Sequence, residues 1–181
     1  MNARTVLPLL LLSLAIAGCG SSGSSPSPTP STAIAIKSYT DPNFGFRFSY
    51  PTAWQAPRQG SSSAATGPNN YFVHLTLPKQ VAGVEVEVSG QVTPFPPITD
   101  GEKRKDPRGP DIFTYYHARV SGLPALRVLR SYKGQVDEVA TFVNLGHREY
   151  TVRMVTISPP FPTQVMAGYN VITRTLKLPK S

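Results

Sequence analysis

The sequence has a single cysteine, few acidic residues and no apolar run long enough to cross a membrane. Because Cys19 stands alone among 181 residues, the chain can form no internal disulfide and no multi-cysteine metal site. The longest apolar stretch, residues 6–16, is interrupted by Pro8 and Ser13 and falls short of the roughly 20 residues that a spanning helix needs. No GxSxG elbow and no glycine-rich phosphate loop is found. These absences exclude the enzyme classes that are recognised by a multi-cysteine metal site, a GxSxG elbow or a glycine-rich phosphate loop.

What is present at the N-terminus is typical of an exported lipoprotein. Residues 1–18 combine Arg4 with a short apolar region and small residues, as signal peptides do. Ile16-Ala17-Gly18-Cys19 resembles the bacterial lipobox, and that resemblance implies cleavage before Cys19, a diacylglyceryl thioether on its sulfur and an added acyl chain such as palmitate. The alternative interpretation is an ordinary secretory signal with a chance cysteine. We therefore expect a protein anchored by lipid to the extracytoplasmic face of the cell membrane.

Behind the cysteine, residues 19–36 are rich in Gly, Ser, Pro and Thr, and they predict a disordered linker. Residues 37–181 form the predicted folded domain. Removing residues 1–18 takes one arginine and no acid, so the net charge falls only from +8 to +7. Export also makes nucleic acid an improbable partner for this basic chain, and we expect none.

The folded part predicts strands followed by one helix. Period-two alternation marks strands at residues 44–50, 71–77 and 84–88, and a four-stranded meander follows at residues 112–120, 125–132, 136–145 and 149–158. Residues 163–176 place apolar side chains three and four apart, which predicts an amphipathic helix. Phe46, Phe48, Trp54, Tyr169 and Ile172 are the expected core. The predicted class is α+β, with an antiparallel sheet covered by helices and a C-terminal amphipathic helix.

Three segments in this order resemble the PsbP-like domains. They are YTDPNFGFRFSYPTAW (residues 39–54), SGLPALRVLRSYKG (121–134) and the closing EYTVRMVTIS strand (149–158) with a terminal helix ending ITRTLKL. The resemblance implies an α/β/α sandwich and a likeness to bacterial lipoproteins of the LpqN type, most of them without an assigned activity. It carries over no functional residue. Many members have a long helix after the early strands, where this chain has the proline-rich residues 93–110.

The segment 93–110 predicts a loop and contains the densest basic run in the chain. Lys103, Arg104, Lys105 and Arg108 are either a solvated surface or a contact for anionic lipid headgroups or wall polymer. Five further arginines, Arg119, Arg127, Arg130, Arg148 and Arg153, are scattered along the predicted strands and indicate a generally cationic face.

Candidate catalytic and metal-binding residues are few. Glu85 and Glu87 share one strand face, which fits a solvated face better than a catalytic pair. The three histidines, His74, His117 and His147, show no ligand spacing, although a zinc or copper site built from two strands remains open. We expect no cofactor. The sequence favours a non-enzymatic binding or scaffold lipoprotein, whose partner is an envelope protein or an anionic polymer. The alternative is a hydrolase or metal-dependent enzyme of the cell envelope.

Overall fold

The structure is a computed structural model, and it describes residues 34–62, 70–78, 82–156 and 160–180. All of them belong to one unit of the chain, Ala33–Ser181. The predicted signal peptide, Cys19 and most of the predicted linker lie outside the described residues. Within the described residues, no helix is long and apolar enough to span a membrane.

The described residues form ten strands and one helix. The strands are β1 (Ile36–Thr40), β2 (Arg47–Pro51), β3 (Arg58–Ser62), β4 (Asn70–Thr76), β5 (Ala82–Ser89), β6 (Glu102–Lys105), β7 (Ile112–Val120), β8 (Leu123–Tyr132), β9 (Gln135–Leu145) and β10 (Arg148–Thr156); the helix is α1 (Thr163–Thr175). The predicted antiparallel sheet with a C-terminal helix is confirmed. The strands β1, β3 and β6 were not predicted.

Eight strands form one antiparallel sheet in the order β3-β4-β5-β10-β9-β8-β7-β6, and β1 pairs with β2 in a separate ladder. The meander turns fall where the sequence predicts them. At the β8–β9 turn both residues have positive φ, 49° at Lys133 and 81° at Gly134, which is the twist that a two-residue hairpin requires.

Helix α1 and the β1–β2 ladder cover one side of the large sheet, the helix-side face. The core forms there because apolar residues alternate on β4, β5, β9 and β10, where Val73, Val84, Val86, Val143 and Val152 are fully buried. The five expected core residues, Phe46, Phe48, Trp54, Tyr169 and Ile172, are at most 6% exposed, so that prediction is confirmed.

Asp41 fixes the β1–β2 turn to the sheet. Its carboxylate is buried and accepts the backbone N–H groups of Asn43 (3.0 Å) and Phe44 (2.7 Å), together with the hydroxyls of Tyr39 and Tyr71. Burial first, and then the hydrogen bond to Asp41, raise the pKa of Tyr71. Because Tyr71 belongs to β4, this carboxylate joins the two sheets.

The other side of the large sheet, the open face, has no helix over it in the described part of the chain. After β5 the chain must pass β10, β9, β8 and β7 to reach β6 at the sheet edge. Residues 91–100, the crossing segment, make this connection without regular secondary structure. They contact open-face side chains on the way, for Asn144 Nδ2 donates to Thr93 O (3.0 Å), and Asp100 accepts from His117. The open face is therefore only thinly covered.

Candidate functional site

The basic run lies on an edge strand and the turn behind it. Lys103, Arg104 and Lys105 belong to β6, so the prediction that they occupy a loop is wrong. They form a strand because their backbone pairs with Thr114, Phe113 and Ile112 of β7, a contact that no apolar pattern in EKRK indicates. Strand alternation places Lys103 and Lys105 on the helix-side face and Arg104 on the open face.

Within the described part of the chain, Arg104 is the cation of the run that forms an ion pair. Its Nε lies 2.6 Å from Glu102 Oε1, its Nη2 donates to Pro97 O at 2.8 Å, and its guanidinium lies 5.2 Å from the ring centre of Tyr115. No carboxylate within the described residues lies at ion-pair distance from Lys103, Lys105 or Arg108. Arg104 thus ties the crossing segment to the sheet edge.

The scattered arginines do not form one cationic face, so that interpretation is wrong. Arg127 pairs in register with Thr141 on the helix-side face and lies 5.6 Å from the ring centre of Tyr169. Arg148 lies on the same side, over the ring of Phe44. Arg153 points to the open face, where it is paired with acids. The register divides these side chains between the two faces.

An ion-pair network occupies the centre of the open face. Glu85 and Glu87 share this face, as predicted, and both bind one arginine from β10. Arg153 Nε donates to Glu85 Oε1 at 2.9 Å, and its Nη2 donates to Glu87. His74 Nδ1 lies 3.6 Å from Glu85 Oε2. The interaction with His74, and then the charge of Arg153, hold the pKa of Glu85 below its usual value although burial opposes them. The two glutamates are held in place rather than freely solvated.

A second network lies beside the first, around Arg130. A register shift between Arg130 and Ser131 places two consecutive acids of β9 within reach of one guanidinium. Arg130 Nε lies 3.1 Å from Asp137 Oδ1, and its Nη1 lies 3.2 Å from Glu138 Oε2. The guanidinium groups of Arg130 and Arg153 therefore each have two carboxylates as neighbours.

The two networks line adjacent clefts that open to solvent. One of about 400 Å³ lies between Arg153 and Arg130, and one of about 280 Å³ lies on the far side of Arg153, over Phe142. Glu138 lines both. Five of the ten carboxylates in the chain are gathered here: Glu85, Glu87, Asp137, Glu138 and Glu149. With only Arg130 and Arg153 as counter-charges to these five acids, the two clefts of the open face are net negative on a net positive protein.

Glu149 is the acid of this group without an arginine. It accepts the N–H of Thr93 at 3.4 Å under the crossing segment. Burial, and to a smaller extent the nearby charge of Glu87, raise its pKa, although the Thr93 hydrogen bond acts in the opposite direction. Glu85 on β5 and Glu149 on the adjacent strand β10 thus have pKa values shifted in opposite directions.

The three histidines lie in different surroundings. His74 lies at Glu85, the His117 ring lies 2.8 Å from Asp100, and His147 is exposed in the β9–β10 turn. The partners of His74 and His117 are carboxylates, not hydroxyls. Within the described residues, no group of three or more His, Cys, Asp or Glu side chains is placed to hold a metal ion.

The fold and surface define an α+β domain with one helix-covered sheet face and one charged, open face. No protein-family model matches the sequence, and no curated protein matches it. A comparison with solved structures finds similarity to the solution structure of cyanobacterial PsbP (CyanoP) from Synechocystis sp. PCC 6803. The two chains share 12% identity over 88% of this chain and 100% of that chain, with a TM-score of 0.47.

Proposed function

We propose that this protein is a membrane-anchored extracytoplasmic lipoprotein that acts as a non-enzymatic binding module. The anchor is a lipidated Cys19, supported by the lipobox and by the Gly/Ser/Pro-rich residues that follow it. Two or three acyl chains make a stable anchor. Among the described residues, the buried apolar core extends from Phe46 to Leu176.

One observation carries the binding role, the concentration of paired charges on a thinly covered sheet face. Arg153 and Arg130 each hold two carboxylates in place, and the clefts beside them are shallow and open to solvent. Rigid polar groups at a solvent-accessible surface suit recognition of a partner. A hydrolase or metal-dependent enzyme would need a nucleophile beside a base, or several converging ligands. The histidines of the described residues offer neither arrangement.

The open face favours a protein partner that presents basic or hydrogen-bond-donating groups. Its net negative charge is opposite to that of the chain, so the complementary surface is basic. The anionic polymer remains a second candidate partner, and its support is different. Lys103, Lys105 and Arg108 have no carboxylate at ion-pair distance among the described residues, so they are available for such a contact.

Anchorage is tested by Cys19→Ala. We expect the unaltered protein to fractionate with membranes and to begin at Cys19, with the mass of the lipid. The Cys19→Ala chain should lose both the lipid and the cleavage before residue 19. A variant that still carries lipid there would contradict the anchor.

Partner binding is tested by a photocrosslinking amino acid. We expect p-benzoylphenylalanine in place of Phe142, on the floor of the smaller cleft, to give a discrete adduct in cells. Placed at Arg174, which is exposed on the helix, it should give none. Glu138→Lys should weaken the Phe142 adduct because Glu138 lines both clefts. The same adduct from both positions, or none from Phe142, would show that the open face is not the binding surface.

A further inference from the structure

Most of the large apolar side chains left exposed are found at one end of the domain. Six such side chains are exposed among the described residues, and five of them are 40% to 52% accessible at this end. We call these five the tether-end rim: Ile34, Ile36, Ile112, Tyr132 and Met166. The sixth, Tyr116, lies further along β7, opposite Arg127.

Strand register places these residues at a common end of the sheet. The paired residues closest to this end are Thr76 with Gly83, Ala82 with Thr156, Tyr132 with Gln135, Ser131 with Ile112, and Ile112 with Lys105. Ile112 and Tyr132 therefore lie at the same end as Thr76.

The β1–β2 ladder and the helix have their exposed residues at that end too. Ile36 pairs with Pro51, and the N–H of Gln55, shortly after Pro51, donates to Thr76 O at 3.0 Å. Helix α1 ends beside the start of β2, where Lys177 bridges to Arg47. Its first turn, which carries Met166, consequently lies at the Pro51 end.

The chain that carries Cys19 enters the domain at this rim, because Ile34 is the first described residue and Ile36 begins β1. The rim has cations in Lys105, Arg108 and Lys133, but Asp106 and Asp111 lie in the same turn as Arg108. Its net charge is therefore small. Any affinity that the rim has for an uncharged surface must come mainly from its apolar side chains.

We propose that the tether-end rim docks into the interfacial region of the lipid bilayer. This inference rests on the proposed function, since the lipidated Cys19 is what brings the rim to a membrane. Single exposed apolar residues are common on soluble proteins, but five at the end where a lipid tether joins are not scattered. Tyrosine is also a residue that membrane interfaces favour. The tether holds the rim at high local concentration, so weak contacts suffice.

Docking in this way orients the domain. The strands would run away from the bilayer, and the open face would stand to the side rather than against lipid. Both clefts would then remain accessible to a partner in the extracytoplasmic space.

The test uses the full, lipidated protein in phosphatidylcholine vesicles at about 0.5 M salt, where electrostatic attraction is screened. Since Cys19 is the only cysteine and its sulfur is taken by lipid, one introduced cysteine gives a unique labelling site. Tyr132→Cys and Met166→Cys report on the rim. His147→Cys, exposed at the opposite end of the sheet, is the matched control. Each is labelled with an environment-sensitive nitrobenzoxadiazole dye.

We expect the two rim labels to emit at shorter wavelength and to resist quenching by aqueous iodide several-fold better than the His147 label. Equal quenching at all three positions, with Cys19 of the unaltered protein inaccessible to the dye, would overturn the rim alone and leave the anchor intact. If Cys19 itself takes the dye, the lipid is absent, and both the proposed anchor and the rim fail.

Discussion

At Gly168 the helix passes directly against the indole of Trp54. A methyl group on Gly168 would lie 2.1 Å from Trp54 Cζ2 and 2.3 Å from Cη2, closer than carbon atoms can approach. Glycine inside a helix is unfavourable by about 1 kcal/mol relative to alanine. Here that loss is offset, because the absence of a side chain lets the only tryptophan of the chain bury against α1.

We expect Gly168→Ala to lower the free energy of unfolding by about 1–3 kcal/mol, the usual range for overpacking. Trp54→Ala should lower it by about 3–5 kcal/mol. In the Trp54→Ala background the clash is gone, so Gly168→Ala should become neutral or stabilising. Chemical denaturation followed by circular dichroism measures all three.

The matched control is Gly90→Ala, because a Cβ at Gly90 meets nothing within 4 Å and its φ is not positive. It should leave stability nearly unchanged. Additive effects of the Gly168 and Trp54 substitutions would contradict the contact between them.

At the scale of elements, the sequence allows the buried strands and the helix to be predicted, but not the exposed edges. Residues 84–88 and 163–176 show clear periodicity because one side of each element is buried. β3 (RQGSS) and β6 (EKRK) have no apolar face, and they are strands only through backbone pairing with β4 and β7. Such pairing depends on tertiary context rather than local propensity.

The candidate site could be predicted only in part for the same reason. Alternation puts Glu85, Glu87 and Arg153 on the polar sides of their strands. β5 and β10 are neighbours in the sheet, and this brings the three charges together. The sequence of neither strand indicates that the two strands pair. The register shift that joins Arg130 to Asp137 and Glu138 leaves no recognisable signal in the sequence.

Glu85 on β5 and Glu149 on β10 are expected to make the stability of the fold depend on pH in opposite directions. The pKa of Glu149 is raised, so the folded state holds this proton more tightly than the unfolded chain does, and stability is lost as pH rises through the folded pKa. The pKa of Glu85 is lowered, so its contribution is present above the unfolded pKa and is lost as pH falls through the folded pKa.

We therefore expect Glu149→Gln to raise the melting temperature near pH 7, with a difference that shrinks near pH 4, close to the usual glutamate pKa. Glutamine keeps an acceptor for the Thr93 N–H. Glu85→Gln should lower the melting temperature near pH 7, and this difference should also shrink in acid. Thermal unfolding of both variants across this range is the measurement, and a shift of the same sign in both would refute the assignment.

At the scale of the whole molecule, acidic and basic side chains are concentrated on different parts of the surface. The two clefts of the open face gather five of the ten acidic side chains, so the remaining surface is more basic than the net charge indicates. Lys103, Lys105 and Arg108 at the sheet edge are the cations that the basic run contributes. Exposed charges act over about 8 Å at physiological salt, so this surface matters close to an anionic layer.

We expect a fragment beginning at Ile34 to associate with vesicles containing phosphatidylglycerol and to dissociate as salt rises. Replacing Lys103, Lys105 and Arg108 by Gln should weaken association by about 1 kcal/mol each, roughly fivefold per side chain. Arg104→Gln is the matched control, because Arg104 is already paired with Glu102. Vesicle co-sedimentation measures the binding. Association that ignores both salt and the triple substitution would rule out the electrostatic contact.

The pairing of β2 has a consequence for the order in which the domain can form. One side of this strand pairs with β1, and its Arg47 also bridges to Lys177. The Ser49 N–H donates to Thr175, a residue 126 positions later in the chain. A chain that emerges N-terminus first therefore displays an incomplete hairpin until residues 175–177 appear. Contacts of such long sequence separation slow folding, so β1 and β2 wait for residues made more than a hundred positions later.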